Sequence, residues 1–343
     1  MRYFSNKIID AKQLKRNYET LKNLSNKKIC AVVKANAYGH GIKMVCKILN
    51  DCDFFAVQNV MEGIEIRKVN STAKILVLGY CANYNLAVKH NLSVCVDDIS
   101  QIFELKKLKQ KIKIHIKINT GMNRLGVKNL SELEEMLILI RDCDKIILEG
   151  VFTHCFCTNN VKITKKQLKT FKKYQKMLNF YNFSPILHIG GSGMIKYCCK
   201  DFDYIRCGIS LYGYCNVSTK PVMKIVSKVI KITNIRKGEF VGYNGAYMAQ
   251  KDMTIAVVPL GYADGIPRNM FNKLCVKYKN FELKCVGEIC MDMFMVDCTG
   301  IQIECGDCVE VFCDASSWGK LCGLCEYEVL TNLIKSRTNT KVH

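Results

Sequence analysis

No uninterrupted apolar run in this 343-residue sequence approaches the roughly twenty residues a helix needs to cross a bilayer, which excludes a membrane-spanning helix. The opening residues, Met1-Arg-Tyr-Phe-Ser-Asn-Lys, lack the apolar core of a secretory signal, so a cytoplasmic protein is expected. Solenoid repeats and low-complexity stretches are absent as well. Acidic residues are few: 30 Asp and Glu against 51 Lys and Arg leave a net charge of +21. That balance raises nucleic acid as a partner, but only nine of the basic residues are arginine, and the 42 lysines are spread over almost every predicted helix. A binding face would gather them into a stripe, so neither nucleic acid nor a membrane is expected as a partner.

Cysteine, by contrast, is plentiful at 21 residues. In a long chain without a secretory signal these read as small buried hydrophobes in a reducing compartment. Cys305-Gly-Asp-Cys308 and Cys322-Gly-Leu-Cys325 come close to zinc-ribbon spacing. At this cysteine frequency chance alone supplies about one such pair, so no metal is expected there.

With 49% hydrophobic residues the chain can bury one large core and a second, smaller one. An amphipathic helix is predicted from about Ile9 to Ser25. Short apolar strands follow, the first ending at Lys34, then Phe54 to Val57, Lys74 to Leu78, Leu92 to Val96, Ile112 to Ile118, Ile146 to Phe152, Ile186 to Ile189 and Tyr204 to Cys207. Helical stretches such as Ile42 to Leu49, Leu130 to Arg141 and Thr164 to Leu178 separate them. Eight strand-helix units without a long gap predict a (β/α)8 TIM-type barrel over residues 1–217, with an open doubly wound sheet as the alternative. Beyond Tyr214 the texture turns to β-branched, alternating runs at Ile225 to Ile232, Thr254 to Leu260, Phe281 to Val286 and Cys308 to Phe312. Residues 218–343 are therefore expected to form a C-terminal, mostly-β domain.

A barrel enzyme carries its chemistry where strands end. The apolar run Ile29-Cys-Ala-Val-Val33 stops at Lys34-Ala-Asn36-Ala-Tyr38-Gly39-His40-Gly41, and an amine held partly out of water loses its proton more readily than a free one. The other predicted strands deliver Lys117 and Arg124, His154, Ser192, and Arg206 with Gly208 and Ile209 to the same end. Loops after strands seven and eight commonly bind phosphate through backbone N–H groups, which makes Ser192, Gly208 and Ile209 candidates. The bland alternatives are a snorkelling lysine, a turn and a core histidine.

The stretch around Lys34 closely resembles the signature of alanine racemases, barrel enzymes in which a lysine holds pyridoxal phosphate covalently and a nearby tyrosine touches its phosphate. The resemblance covers nearly the whole chain and implies these roles for Lys34 and Tyr38. It implies that Ser192, Gly208 and Ile209 bind the phosphate, that Arg206 faces the pyridine nitrogen, and that His154 links Arg206 to the catalytic tyrosine. Arg124 would bind the cofactor phenolic oxygen and the substrate carboxylate, and Lys117 matches a lysine often carbamylated in these enzymes. In the second domain, Val241-Gly-Tyr243-Asn-Gly-Ala-Tyr247, Gly261-Tyr262-Ala-Asp264-Gly265-Ile-Pro-Arg268 and Gly287-Glu-Ile-Cys-Met291-Asp292 are similar to racemase motifs. They imply Tyr243 as second catalytic base, Tyr262 narrowing substrate entry, and Met291 and Asp292 at the substrate carboxylate. Because these motifs act on the other subunit's barrel, a homodimer is implied.

Asn119, Asn123, Gly191, Cys207 and Glu288 depart from the usual family residues, and Lys335 stands where a tyrosine usually lies over the substrate. The expectation is an alanine racemase that interconverts L- and D-alanine by two-base proton transfer and supplies D-alanine for peptidoglycan. The Lys335 region motivates a serine or broad-specificity racemase as the alternative. A pyridoxal phosphate decarboxylase, a cofactor-carrier barrel and a zinc-ribbon module are further alternatives.

Overall fold

In the computed structural model, which describes residues 4–197, 200–215, 217–333 and 339–343, eight parallel strands close into a barrel. A strand the sequence reading missed, β1 (Ser5–Ile9), precedes them. The barrel strands are β2 (Lys28–Val32), β3 (Phe54–Val57), β4 (Lys74–Val77), β5 (Ser93–Val96), β6 (Ile112–Lys117), β7 (Ile146–His154), β8 (Ile186–Gly190) and β9 (Tyr204–Cys207). Pairing of β2 with β9, Cys30 beside Arg206, closes the ring. All eight fall where apolar runs of strand length were found, because strands buried on both faces need continuous apolar sequence.

The connecting helices are amphipathic and mostly capped. Helix Ala11–Ser25 buries Leu14, Tyr18 and Leu21 at helical spacing. Asn59, Asn83, Asp98 and Asn160 each accept a hydrogen bond from a backbone N–H in the first turn of the helix that follows. Helix Leu130–Arg141 has the bounds read from sequence, and Val161–Phe180 extends its expected range at both ends.

The chain divides into two compact units, residues 14–37 with 42–219, and residues 1–13 and 38–41 with 220–343. The second holds strands β10 (Met223–Lys228), β11 (Lys231–Ile235), β12 (Phe240–Val241), β13 (Tyr247–Met248), β14 (Met253–Val258), β15 (Cys275–Tyr278), β16 (Phe281–Val286), β17 (Phe294–Asp297), β18 (Cys308–Phe312) and β19 (Asn339–Val342). Nine strands form one sheet in the order β11-β14-β17-β16-β15-β18-β10-β1-β19, and β12 and β13 form a separate ribbon. The expected strand Ile225 to Ile232 is two strands, broken at Val229 and Ile230. Two helices, Ala315–Cys322 and Glu326–Asn332, complete the unit. Strand β1 belongs here by pairing, Ser5 opposite Ser227 and Ile9 opposite Met223, so the first residues leave the barrel they precede in sequence. Five residues carry little signal against the long helix that follows them.

Candidate active site

Just beyond β2 the backbone turns left-handed. Ala35 (φ 52°, ψ 50°), Asn36 (φ 54°, ψ 46°) and Ala37 (φ 56°, ψ 50°) follow Lys34, and Tyr38 continues at φ 51°. An L-residue in this conformation costs about 1–2 kcal/mol, so four in a row need support. Glu62 supplies it: one carboxylate oxygen accepts from the Asn36 N–H at 3.2 Å and the other from Gln58 N–H at 2.8 Å. Asn36 Oδ1 in turn accepts from Ile42 N–H at 2.8 Å. Strain held this firmly is a mark of a functional turn. It leaves Lys34 half-buried. Burial lowers its amine below the ordinary lysine range, the Arg124 charge lowers it further, and Glu62 opposes both.

Lys117, the last residue of β6, is buried. Burial depresses its amine and the Arg124 and Arg206 charges add to the effect, against Cys95 and Asp97. The chain then loops back: Val127 N–H reaches Lys117 O and Asn119 N–H reaches Val127 O, both at 2.9 Å. Asn119 Oδ1 accepts from Gly121 and Asn123 N–H, bracing the loop that carries the exposed Arg124. Asn119 and Asn123, two of the departures noted above, thus hold the loop themselves.

Arg206 is almost wholly buried inside the barrel. One guanidinium nitrogen donates to His188 Nδ1 at 2.7 Å, the other to Thr153 O at 2.8 Å, and the group lies 4.6 Å over the Phe152 ring. Burial lowers its pKa to about 10, which still leaves it charged at neutral pH. Room for it comes from Gly190: a Cβ there would lie 2.1 Å from Arg206 Nη2 and 2.5 Å from His154 Nδ1. Arg206 and His154 therefore crowd one space. Burial, together with the charges of Arg206, Arg124, Lys117 and Lys34, drives His154 down to about 3, so it is neutral.

Short helical turns follow β8 and β9, Ser192–Tyr197 and Ile209–Tyr212. Ser192 Oγ accepts from Ser210 Oγ at 2.7 Å and from Ser210 N–H at 3.3 Å, which ties the two turns together. Gly208 enters the second turn, whose first N–H groups have no partner within it. The barrel thus gathers Lys34, Lys117, Arg124, His154 and Arg206 into one electrostatic cluster. Such a cluster favours an anionic ligand.

In the second unit, the three motif segments lie side by side. Tyr262 and Ala263 N–H donate to Cys290 O and Met291 O, and a Cβ on Gly261 would lie 2.2 Å from Met291 O. A Cβ on Gly287 would lie 2.6 Å from Val241 O, and Arg268 pairs with Glu288. Tyr243, Tyr262 and Met291 stay 64%, 43% and 53% exposed, and Asp292 is exposed. Tyr38, counted with this unit, is buried with its ring 5.9 Å from that of Tyr327. Burial raises its hydroxyl pKa, and nearby Tyr327 adds to this.

Sequence reasoning gave no role to His115, His188 or Glu149, which join Arg206 inside the barrel. The one signal was charged and imidazole side chains in the middle of apolar strands. Lys335 lies outside the described residues. Cys305, Cys308 and Cys325 are exposed and Cys322 is buried; among the described residues no cluster is placed to hold a metal, and no helix is long and apolar enough to cross a membrane.

The family model for the alanine racemase N-terminal domain matches residues 9–216, and that for the C-terminal domain matches 222–342. Alanine racemase of Borreliella burgdorferi (strain ZS7) is 33% identical, over 96% of this chain and 94% of its own. The structure of Clostridium difficile 630 alanine racemase superposes with a TM-score of 0.93 at 32% identity, covering 100% of this chain and 96% of that one. The Bartonella henselae alanine racemase, described with covalently bound pyridoxal phosphate, does so with a TM-score of 0.86 at 26% identity, covering both chains fully.

Proposed function

The chain belongs to the alanine racemase family of pyridoxal phosphate-dependent isomerases, and from that premise we propose that it interconverts L- and D-alanine. The observation that carries the reading is the partly desolvated Lys34, set by a strained turn among Arg124, Lys117, His154 and Arg206. The donor set fits pyridoxal phosphate: an amine of lowered pKa for its aldehyde, the linked Ser192 and Ser210 turns with Gly208 and Ile209 for its phosphate, and Arg206 for its ring nitrogen. Tyr38 joins the phosphate contacts on this reading. When bound, the cofactor draws electrons from the substrate α-carbon and makes its C–H bond acidic.

Racemisation needs a proton carrier on each face of that carbon. Lys34 serves one face, since burial and the Arg124 charge lower its pKa and so favour the uncharged amine that can accept a proton. Tyr243 of the partner subunit serves the other. Arg124 holds the substrate carboxylate, as a planar two-pronged donor suits. Met291 and Asp292 of the partner subunit flank that carboxylate, and Tyr262 of the partner subunit narrows the entry. Neutral His154 stands beside Arg206 and accepts or donates a hydrogen bond without adding charge. Carbamylation of Lys117 would turn it into an anion able to hold Arg124, and its lowered pKa favours the neutral amine that such a reaction needs.

The exposed Tyr243, Tyr262 and Met291 support a homodimer, because exposed aromatic and thioether groups gathered at one surface mark an interaction site. As a cytoplasmic enzyme it would supply D-alanine to peptidoglycan. A second reading, serine or broad-specificity racemisation, rests on Lys335. Incubating the purified protein with L-alanine and L-serine and separating the enantiomers tests both. Faster D-alanine formation is expected; equal or faster D-serine formation favours the second reading, and no D-product sinks both.

A further inference from the structure

Arg206 is a buried cation with no carboxylate at ion-pairing distance among the described residues. Its charge is answered farther away. Beyond Arg206, His188 Nε2 lies 2.7 Å from His115 Nδ1, and His115 Nε2 lies 3.1 Å from Glu149 Oε2. Glu149 also accepts from Ser93 Oγ and from Lys74 Nζ at 3.3 Å. Ser93 and Lys74 open β5 and β4, so the chain runs through the barrel from the beginnings of its strands toward the end that carries Arg206.

The direction of every bond follows from Arg206. A guanidinium only donates, so His188 Nδ1 must accept. His188 is then protonated on Nε2 and donates to His115 Nδ1, which leaves the His115 proton on Nε2, facing Glu149. A cationic His115 would set two donors against each other, so both rings must be neutral. Burial, which lowers both imidazoles, agrees. At the far end burial pushes Glu149 up, but His115, Ser93 and Lys74 outweigh it and hold the carboxyl at about 2.

The fold makes room for this arrangement. Register between β6 and β7 pairs Ile114 with Leu148 but His115 with Gly150, a bulge that leaves Glu149 without a partner strand residue and re-aims its side chain. A Cβ on Gly150 would lie 2.1 Å from His115 Nδ1. Phe152 stacks on His188 with ring centroids 4.7 Å apart, and Phe54 packs edge-on against it.

We propose that Glu149 is a positioning residue for Arg206, acting through the fixed tautomers of His115 and His188. The use of a positioned Arg206 rests on the racemase reading above; the hydrogen-bond directions do not. Glu149→Gln tests the relay. Only a carbonyl oxygen can accept from Lys74, so the new amide turns its NH2 toward His115 and reverses the donors down the chain. His188 then presents an N–H to Arg206.

In the full-length protein labelled with 15N-histidine, with signals assigned by His115→Gln and His188→Gln, the wild type should show both rings neutral with the proton on Nε2. In Glu149→Gln both rings should carry it on Nδ1, and kcat/KM for alanine should fall about tenfold or more. Neither ring changing, His115 changing alone, or both changing with kcat/KM intact would each overturn the proposal. Should that variant not fold, the wild-type spectra decide: an Nδ1 proton or a cationic ring at neutral pH refutes the relay. Fixed Nε2 tautomers in a protein that does not racemise would sink the racemase reading and leave the relay standing.

Discussion

On the proposed reading one amine, Lys34, both binds an aldehyde and carries a proton, and both uses need it uncharged part of the time. Burial and Arg124 provide for that. Lys34→Ala is therefore expected to purify without covalently bound pyridoxal phosphate, read as loss of the visible absorbance of the wild type and of cofactor fixed by borohydride. A variant that still fixes cofactor would move the attachment elsewhere. His154 gives a pH prediction. Its folded pKa, about 3, lies below the unfolded value near 6.5, so the unfolded chain binds more protons between those limits and stability falls as pH drops through that window. His154→Gln should flatten the slope of unfolding free energy there; an unchanged slope would mean the ring is already charged when folded. At Gly190 a methyl group would meet Arg206 and His154 at 2.1 and 2.5 Å. Gly190→Ala should cost roughly 1–3 kcal/mol in denaturant unfolding, the usual range for overpacking.

Among the elements, the left-handed turn after β2 depends most on a few bonds. Asn36→Ala deletes the acceptor for Ile42 N–H and the residue type that best tolerates positive φ. A loss of about 1–2 kcal/mol is expected, with weaker cofactor retention, measured by dialysis against buffer. The barrel strands were legible in the sequence because burial on both faces favours apolar runs, unbroken at Phe54–Val57. Residues at strand ends were legible because every such end faces one mouth. What stayed hidden was long-range: Ser5–Ile9 pairs with a strand more than two hundred residues away, and the Glu149 bulge depends on register with β6. Local pattern carries no record of either.

At the scale of the whole molecule, Tyr243 is 64% exposed on a unit whose three motif segments are braced against one another. A tyrosine left this open to solvent is suited to act on something outside its own unit, and the proposed homodimer would supply it. Tyr243→Phe should keep the cofactor while racemisation falls by roughly 10²-fold or more, the usual effect of losing a positioned proton carrier. Packing alone would predict near-normal activity. The most direct test of two bases shared between subunits mixes inactive Lys34→Ala with inactive Tyr243→Phe under conditions where mass measurements show subunit exchange. Mixed dimers contain one site with both Lys34 and Tyr243 intact, so alanine racemisation should reappear as exchange proceeds. Complete exchange without any return of activity would contradict the shared site.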